Sequence, residues 1–102
     1  TDIRSFYVSL ENPINWTAFG LWLTLLLHMH GQDILRVKAI LRVSELDGPV
    51  AIHGVQHVVH PPVHLKNWSK IERKSHIVFI VRDLDPLTIK ESLLAFNKLA
   101  GD

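Results

Sequence analysis

The stretch HIVFIVRDLDP, residues 76–86, decides the fold, because it joins an apolar strand directly to a helix start. The uninterrupted β-formers at 77–81 predict a central strand that is buried on both faces. Asp85 followed by Pro86 is typical of a helix N-terminus, with the carboxylate as N-cap and the proline at the first helical position. Apolar residues then recur at helical spacing and predict a single stripe facing a sheet, namely Ile89, Leu93, Phe96 and Ala100.

Two further strands precede this stretch and are joined by a turn. Residues 35–43, LRVKAILRV, alternate between apolar and mostly charged side chains, which is typical of a half-buried strand. The sequence DGP at 47–49 predicts a turn with Gly48 at positive φ, and therefore a hairpin. Residues 50–59 predict a second long strand with a bulge or kink at Gly54.

The N-terminal third predicts one strand and one helix. Residues 3–10 alternate in hydropathy, which indicates a half-buried strand. Asn15 is a suitable N-cap for a helix over about residues 16–30, and Gly31 is placed to end it. This helix is apolar on so many sides that it must be covered on more than one face.

These elements predict an α+β fold in the order β-α-β-β-β-α. We expect a two-layer sandwich in which two helices cover a mainly antiparallel sheet of about four strands. The length of 102 residues predicts a single domain over residues 1–102. A hydrophobic fraction of 47% and a charged fraction of 21% are ordinary for a globular chain and exclude disorder.

Composition also excludes several classes of function. The chain contains no cysteine, which excludes disulfide scaffolds, zinc fingers, thiol nucleophiles and iron–sulfur sites. Eleven Lys and Arg against ten Asp and Glu leave a net charge of +1, so we expect neither nucleic acid nor membrane as a partner. No signal peptide is visible, which with the lack of cysteine favours the cytoplasm. The start at Thr1 and the single methionine, Met29, indicate a fragment or a processed product.

The sequence contains no recognisable set of catalytic residues. Each of the five glycines is isolated and no GxxxxGK[ST] motif occurs, so we expect no nucleotide binding by this chain. Asp83 and Asp85 lie at a helix start, where one caps the helix and the other is favoured by the helix dipole. The sequence therefore predicts that this chain is not an enzyme.

Four of the seven histidines, His53, His57, His60 and His64, fall within twelve positions. His53 and His57 would lie about 13 Å apart on a straight strand, too far for two ligands of one zinc, each of which lies about 2.1 Å from the metal. A bulge or the following proline break could instead bring His57 and His60 together as metal ligands. The alternative is that these histidines are scattered and half-exposed on a sheet and its exit loop.

Three tryptophans exceed the need of so small a core, and tryptophan is enriched where proteins meet. Trp16 fits the core stripe of the first helix, whereas Trp22 and Trp68 are candidates for contact with a partner or another domain. Basic residues flank Trp68 and could form a platform for single-stranded nucleic acid. A solvated surface loop over residues 64–75 explains them better, since Glu72 dilutes the charge. The cluster consists of Lys66, Lys70, Arg73 and Lys74.

Three segments together resemble one protein family: RVKAILRV (36–43), DGPVAIHGVQHVVHPP (47–62) and HIVFIVRDLD (76–85). They are similar to the C-terminal domain of CobW-type proteins, the P-loop GTPases of cobalamin synthesis and metal homeostasis. The family pattern is an R-x-K-G strand, a hairpin, G-V-Q-H, H-P-P, a polar loop and a last strand before the final helix. Here Ala39 stands where the family has glycine, and His76 stands near its usual arginine.

The resemblance implies that this chain is the second part of a longer protein. The family's N-terminal GTPase domain carries the Walker motifs and a Cys-x-Cys-Cys metal site, and neither motif occurs in this sequence. GTP with Mg, and Zn or Co, are therefore implied as cofactors of the parent protein and none for this chain. The implied role is a non-catalytic accessory and interaction domain of a metallochaperone linked to cobalamin synthesis or zinc homeostasis.

The implied partners are the protein's own GTPase domain and a metalloprotein or cobalt-chelatase client. His57 and His60 match the family pattern, either with a structural role or as metal ligands. The alternative function is therefore a histidine-based module that binds Zn or Co within the same protein.

Overall fold

The computed structural model describes residues 2–68 and 73–100 and has the predicted α+β architecture. Two helices cover one face of a six-stranded sheet, which has two strands more than expected, because two short strands follow the first hairpin. The elements in chain order are β1 (Ile3–Leu10), α1 (Trp16–His30), a 3-10 turn (Gly31–Asp33), β2 (Ile34–Leu41), β3 (Val50–Val55), β4 (Val58–Val59), β5 (Val63–His64), β6 (Ser75–Arg82) and α2 (Pro86–Ala100).

The sheet is antiparallel between all hydrogen-bonded neighbours, in the order β1-β6-β2-β3-β4, with β5 also pairing with β3. The predicted central strand, β6, lies between β1 and β2, so that Phe79 pairs with Phe6 on one side and with Val37 on the other. Because β1 and β2 are both antiparallel to β6, they run in the same direction. The helix α1 makes the connection between them.

The core lies between the helices and one face of the sheet. Phe79 is completely buried at its centre, where it stacks on Phe6 at 5.1 Å between ring centroids and meets the edge of Trp22 at 6.2 Å. Apolar residues of β1, β2, β3 and β6 alternate onto this face, as their hydropathy predicts. The buried members are Val8, Leu10, Val37, Ala39, Leu41, Val50, Ile52, Ile77, Phe79 and Val81.

The prediction that β6 is buried on both faces is wrong. Both helices pack on the same side of the sheet, so no helix in the described residues covers the outward side chains of β6. Val78 is 44% exposed, and Ile80 is half-buried. The apolar run of β6 therefore serves the core on one face and leaves an apolar surface on the other.

The predicted hairpin between β2 and β3 is present, but its glycines act differently from the prediction. No described glycine has a positive φ. At Gly48 a Cβ would overlap the carbonyl oxygen of Leu65, so the close approach of another backbone requires glycine there. Gly54 forms a regular pair with Val37 rather than a bulge. The register shift in the sheet lies instead between Ile34 and Arg36.

The long strand expected at 50–59 is in fact a hairpin. Residues 56 and 57 form a turn between β3 and β4, and Gln56 has a φ of 52°. This region of backbone conformation favours glycine or asparagine, so the residue type does not signal the turn. The turn reverses the chain and places the residues after it beside those before it.

Both helices begin as predicted. The Asn15 side chain accepts a 2.9 Å hydrogen bond from the Ala18 amide, and Asp85 Oδ1 accepts one of 3.1 Å from the Leu87 amide. At the end of α1, Gly31 continues into the 3-10 turn with a φ of −54° instead of adopting a left-handed conformation. In the described part of the chain, neither helix is long and apolar enough to cross a membrane.

Candidate functional site

The sheet surface opposite the helices, called here the open face, is the main candidate site. It is formed by the outward side chains of β1, β6, β2 and β3, together with β5. One row across it follows the pairing register from Tyr7 through Val78 and Lys38 to His53. Its apolar members are Ile3, Tyr7, Ile40, Ala51, Val55, Val63, Val78 and Ile80, all exposed or half-buried. Contiguous exposed apolar surface of this kind marks an interaction site in many soluble proteins.

A cavity of about 520 Å³ lies on the open face at its β3 end. Ile40, Val63 and Val78 provide apolar walls, and His53, His60 and His76 bring three imidazoles to the same space. A few polar groups in an otherwise apolar cavity are typical of ligand sites. The three imidazoles come from β3, from the segment after β4 and from β6.

His53 and His60 face each other across the β3–β4 hairpin. The His60 amide donates a 2.9 Å hydrogen bond to the His53 carbonyl oxygen, and the two ring centroids are 5.2 Å apart with 31° between the planes. Burial lowers the pKa of His53 below its ordinary value, and the positive charges of Arg36, His60 and Lys38 lower it further. Both effects favour the uncharged form of the His53 ring.

The two histidines predicted as metal ligands have different neighbours. The His57 ring lies in the turn and packs directly against Gly31, so closely that a Cβ on Gly31 would overlap it. The His60 ring lies against His53 instead. No group of three His, Asp or Glu side chains in residues 2–68 and 73–100 is arranged to hold a metal ion. The pairing of His57 with His60 at a metal stays a prediction.

The tryptophans are placed differently from the expectation. Trp22 is only 3% exposed, and its Nε1 donates a 2.8 Å hydrogen bond to Ser92 Oγ. Trp68 is 6% exposed, whereas Trp16, expected in the core, is 42% exposed. Trp22 and Trp68 are thus buried within their own chain, and the prediction that Trp16 belongs to the core is wrong. Their contact with a partner stays a prediction.

The acidic residues before α2 serve the fold. Asp83 has a φ of 56°, and its Oδ1 accepts a 2.7 Å hydrogen bond from the Asp2 amide. Asp85 caps the helix and also accepts from the Thr88 hydroxyl at 3.0 Å. Both carboxylates therefore stabilise the start of α2 and its approach from β6.

The basic loop is described only in part. Lys66 and Arg73 are exposed, whereas Lys70 and Glu72 lie outside the described residues.

A larger cavity, of about 810 Å³, lies between the end of β1 and α2. Asn97, on α2, lines this cavity and makes two hydrogen bonds. The Asn97 Oδ1 accepts from the Asn15 amide at 3.2 Å, and the Asn97 Nδ2 donates to the Pro13 carbonyl at 3.3 Å. These bonds tie the start of α1 to α2. The polar groups of Asn97 are therefore used by the fold.

Comparison with known proteins gives one family and two structures. The family model described as "Cobalamin synthesis protein cobW C-terminal domain" matches residues 3–97. The fold is similar to part of the Zn(II)-bound YjiA GTPase from E. coli, with a TM-score of 0.84, 23% identity, and coverage of 93% of this chain and 30% of that one. For a Zn(II)-bound triple mutant of the YjiA GTPase the TM-score is 0.85 at 23% identity, covering 94% of this chain and 30% of that one. No curated protein matches.

At 23% identity the likeness to the two crystal structures shows the fold alone. The chain spans about 30% of the length of these GTPases.

Proposed function

Since the chain belongs to the family of cobalamin synthesis protein cobW C-terminal domains, we propose that it is a non-catalytic accessory and interaction domain of a CobW-like P-loop GTPase. The observation that carries this proposal is the family match over residues 3–97 in a sequence without a phosphate-binding loop. Its likeness in fold to about 30% of a GTPase chain supports the same role. The rest of the parent protein would bind and hydrolyse the nucleotide.

The open face is the proposed contact surface for the GTPase domain of the same protein. Both helices cover the other side of the sheet, whereas no helix in the described residues covers Val78 and its neighbours on the open face. Burying such apolar side chains against a second domain contributes roughly 25 cal/mol per Å² of apolar area. The affinity of this contact would change with the bound nucleotide, which is how an accessory domain can report the state of a GTPase.

The parent protein is proposed to act as a metallochaperone for cobalt or zinc. The family description names cobalamin synthesis, a cobalt-requiring process, and the YjiA GTPase with the similar fold was crystallised with Zn(II). A metalloprotein or a cobalt chelatase would be its client, GTP with Mg its cofactor, and the cytoplasm its location. None of these assignments requires a reactive group in the present chain.

Binding to the GTPase domain tests the proposal. The GTPase domain encoded in the same reading frame would be titrated with this chain by calorimetry, once with GDP and once with a non-hydrolysable GTP analogue. Val78→Glu places a charge on the open face and is expected to weaken binding by about ten-fold or more, equivalent to about 1.4 kcal/mol. Leu99→Glu is the matched control, since Leu99 is 88% exposed on α2. Equal affinities for Val78→Glu and the unchanged chain would contradict the open face as the contact surface.

A direct titration of the chain with Mg-GTP tests its non-catalytic nature. We expect no heat of binding, because the sequence lacks a phosphate-binding loop. Micromolar binding of GTP by the chain alone would overturn the assignment.

A histidine-based metal-binding module is the second candidate function, with Zn or Co as the metal and His57 and His60 as the predicted ligands. The observation in its favour is that His60 lies beside another imidazole at the edge of a cavity. Titration of the chain with ZnCl₂, compared with His57→Ala and His60→Ala, tests it. Loss of binding in both variants is the expected result, and unchanged binding in both would contradict it.

A further inference from the structure

The geometry points to a site for a late divalent transition metal, such as Zn²⁺ or Ni²⁺, formed by His53 and His60 at the cavity on the open face. We propose this pair as the ligands. The inference rests on the metal-binding role of the second candidate function and names His53, in place of His57, as the second ligand beside His60.

The pairing of the two residues places their imidazoles within reach of one ion. His53 is the last outward residue of β3 before Gly54, and the turn after β3 brings His60 directly opposite. The hydrogen bond from the His60 amide to the His53 carbonyl holds this register at 2.9 Å. Directly opposed residues on paired strands have Cβ atoms about 4.5–5.5 Å apart. Rings 5.2 Å apart can each turn one nitrogen toward a shared ion about 2.0–2.1 Å away.

His53 also has a nitrogen that lacks a partner. Its Nε2 is inaccessible to water and makes no hydrogen bond to any atom of residues 2–68 and 73–100. A buried polar atom without a partner costs free energy that a ligand would recover.

The two imidazole ligands determine which metal ions the site prefers. Imidazole nitrogen suits Zn, Cu, Fe and Ni, whereas Mg²⁺ and Ca²⁺ prefer oxygen ligands. His76 lines the same cavity from β6 but belongs to no set of three ligands in the described part of the chain. Two protein ligands leave the remaining coordination positions open to water or to a ligand from a bound partner.

Nearby charge limits the affinity. Arg36 and Lys38 lie on the neighbouring strand β2, and their positive charges would repel a cation. We therefore expect micromolar rather than nanomolar dissociation constants. A site of this strength can exchange its metal rather than store it.

Calorimetric titration of the chain with ZnCl₂ and NiCl₂ at pH 7.5 tests the site. His53→Ala and His60→Ala are each expected to weaken binding by at least about ten-fold, because even loss of a group that only orients a metal ligand costs about 10–100-fold. His28→Ala, at an exposed position on α1, is the matched control and is expected to leave the affinity unchanged. His57→Ala distinguishes this pair of ligands from the pair His57 and His60. MgCl₂ is expected to produce no heat.

A second measurement uses the unchanged chain and so does not depend on the folding of a variant. Zinc is expected to shift the imidazole nitrogen resonances of His53 and His60 in NMR spectra and to leave those of His28 and His57 in place. Loss of binding in His57→Ala with retention in His53→Ala would overturn this inference and support the pair His57 and His60. Absence of zinc and nickel binding by the unchanged chain would overturn both, while the accessory role is judged separately by binding to the GTPase domain.

Discussion

The indole nitrogen of Trp22, in α1, donates a 2.8 Å hydrogen bond to Ser92 Oγ, in α2, and so joins the two helices across the covered face of the sheet. The Ser92 hydroxyl in turn donates to the Ile89 carbonyl at 2.8 Å. The Trp22 indole N–H and the Ser92 hydroxyl therefore both have hydrogen-bond partners, although the Trp22 side chain is buried. The bond explains how so large a polar aromatic residue is accommodated in a small core.

Removing the acceptor of this bond is expected to destabilise the fold. Ser92→Ala leaves the buried indole N–H without a partner and should lower the free energy of unfolding by about 1–3 kcal/mol. In a Trp22→Phe background, which has no donor, the same substitution should cost less. Urea unfolding of the four proteins of this double-mutant cycle measures the coupling, with Thr24→Ala at an exposed helix position as control. Equal costs of Ser92→Ala in both backgrounds would show that the bond contributes nothing.

The N-cap of α1 gives a second prediction. Asn15→Ala removes the acceptor of the Ala18 amide and should lower the free energy of unfolding by about 1 kcal/mol. Asn15→Asp retains an oxygen acceptor and is expected to keep most of the stability. Thermal unfolding of both variants distinguishes a capping effect from a general intolerance of change at this position, which would lower both melting temperatures equally.

Two glycines are expected to respond to alanine in opposite directions. A Cβ at Gly48 would overlap the Leu65 carbonyl, so Gly48→Ala should destabilise the chain by about 1 kcal/mol or more. Gly20 lies at an exposed position within α1, and apart from its chain neighbours and the nearby backbone of α1 no atom lies within 4 Å of an added Cβ. Gly20→Ala should therefore stabilise the chain by about 0.8–1.0 kcal/mol through helix propensity. Urea midpoints that moved in the same direction for both variants would contradict this account.

The lowered pKa of His53 predicts a pH dependence of stability. Because the folded state resists protonation of the His53 ring, the contribution of this ring to the free energy of unfolding is fully present above the ordinary histidine pKa of 6.5. The contribution is lost as the pH falls from there through the lower pKa of the folded state, where the unfolded chain binds the extra proton. His53→Gln should therefore reduce the loss of stability between pH 7.5 and pH 5. An identical loss in the variant and the unchanged chain, measured by urea unfolding, would refute the assignment.

Much of the fold could be predicted from periodicity and from helix caps. The strands β1, β2 and β6, and the helix starts at Asn15 and Asp85, lie where the pattern placed them, because each depends on residues close together in sequence. The turn at Gln56 could not be predicted, since it contains none of the residue types that normally adopt a positive φ. Since this turn places His60 beside His53, the pairing of these two residues could not be predicted either.

The burial of the tryptophans could not be predicted either. Trp16 and Trp22 lie on the same helix, and hydropathy alone does not say which side of a broadly apolar helix faces the sheet. Contact with α2 decides it, since Ser92 supplies the polar partner that Trp22 requires. The prediction that Trp16 lies in the core was therefore wrong, whereas contact of Trp22 and Trp68 with a partner stays a prediction.

By itself, the sequence determined the fold class, the helix caps and the resemblance to one family, because these depend on local spacing and residue type. Only the tertiary structure decided which face of the sheet stays open and which imidazoles meet. Both depend on strand register and on the side of the sheet that two helices share, and these are settled by contacts between residues far apart in the chain.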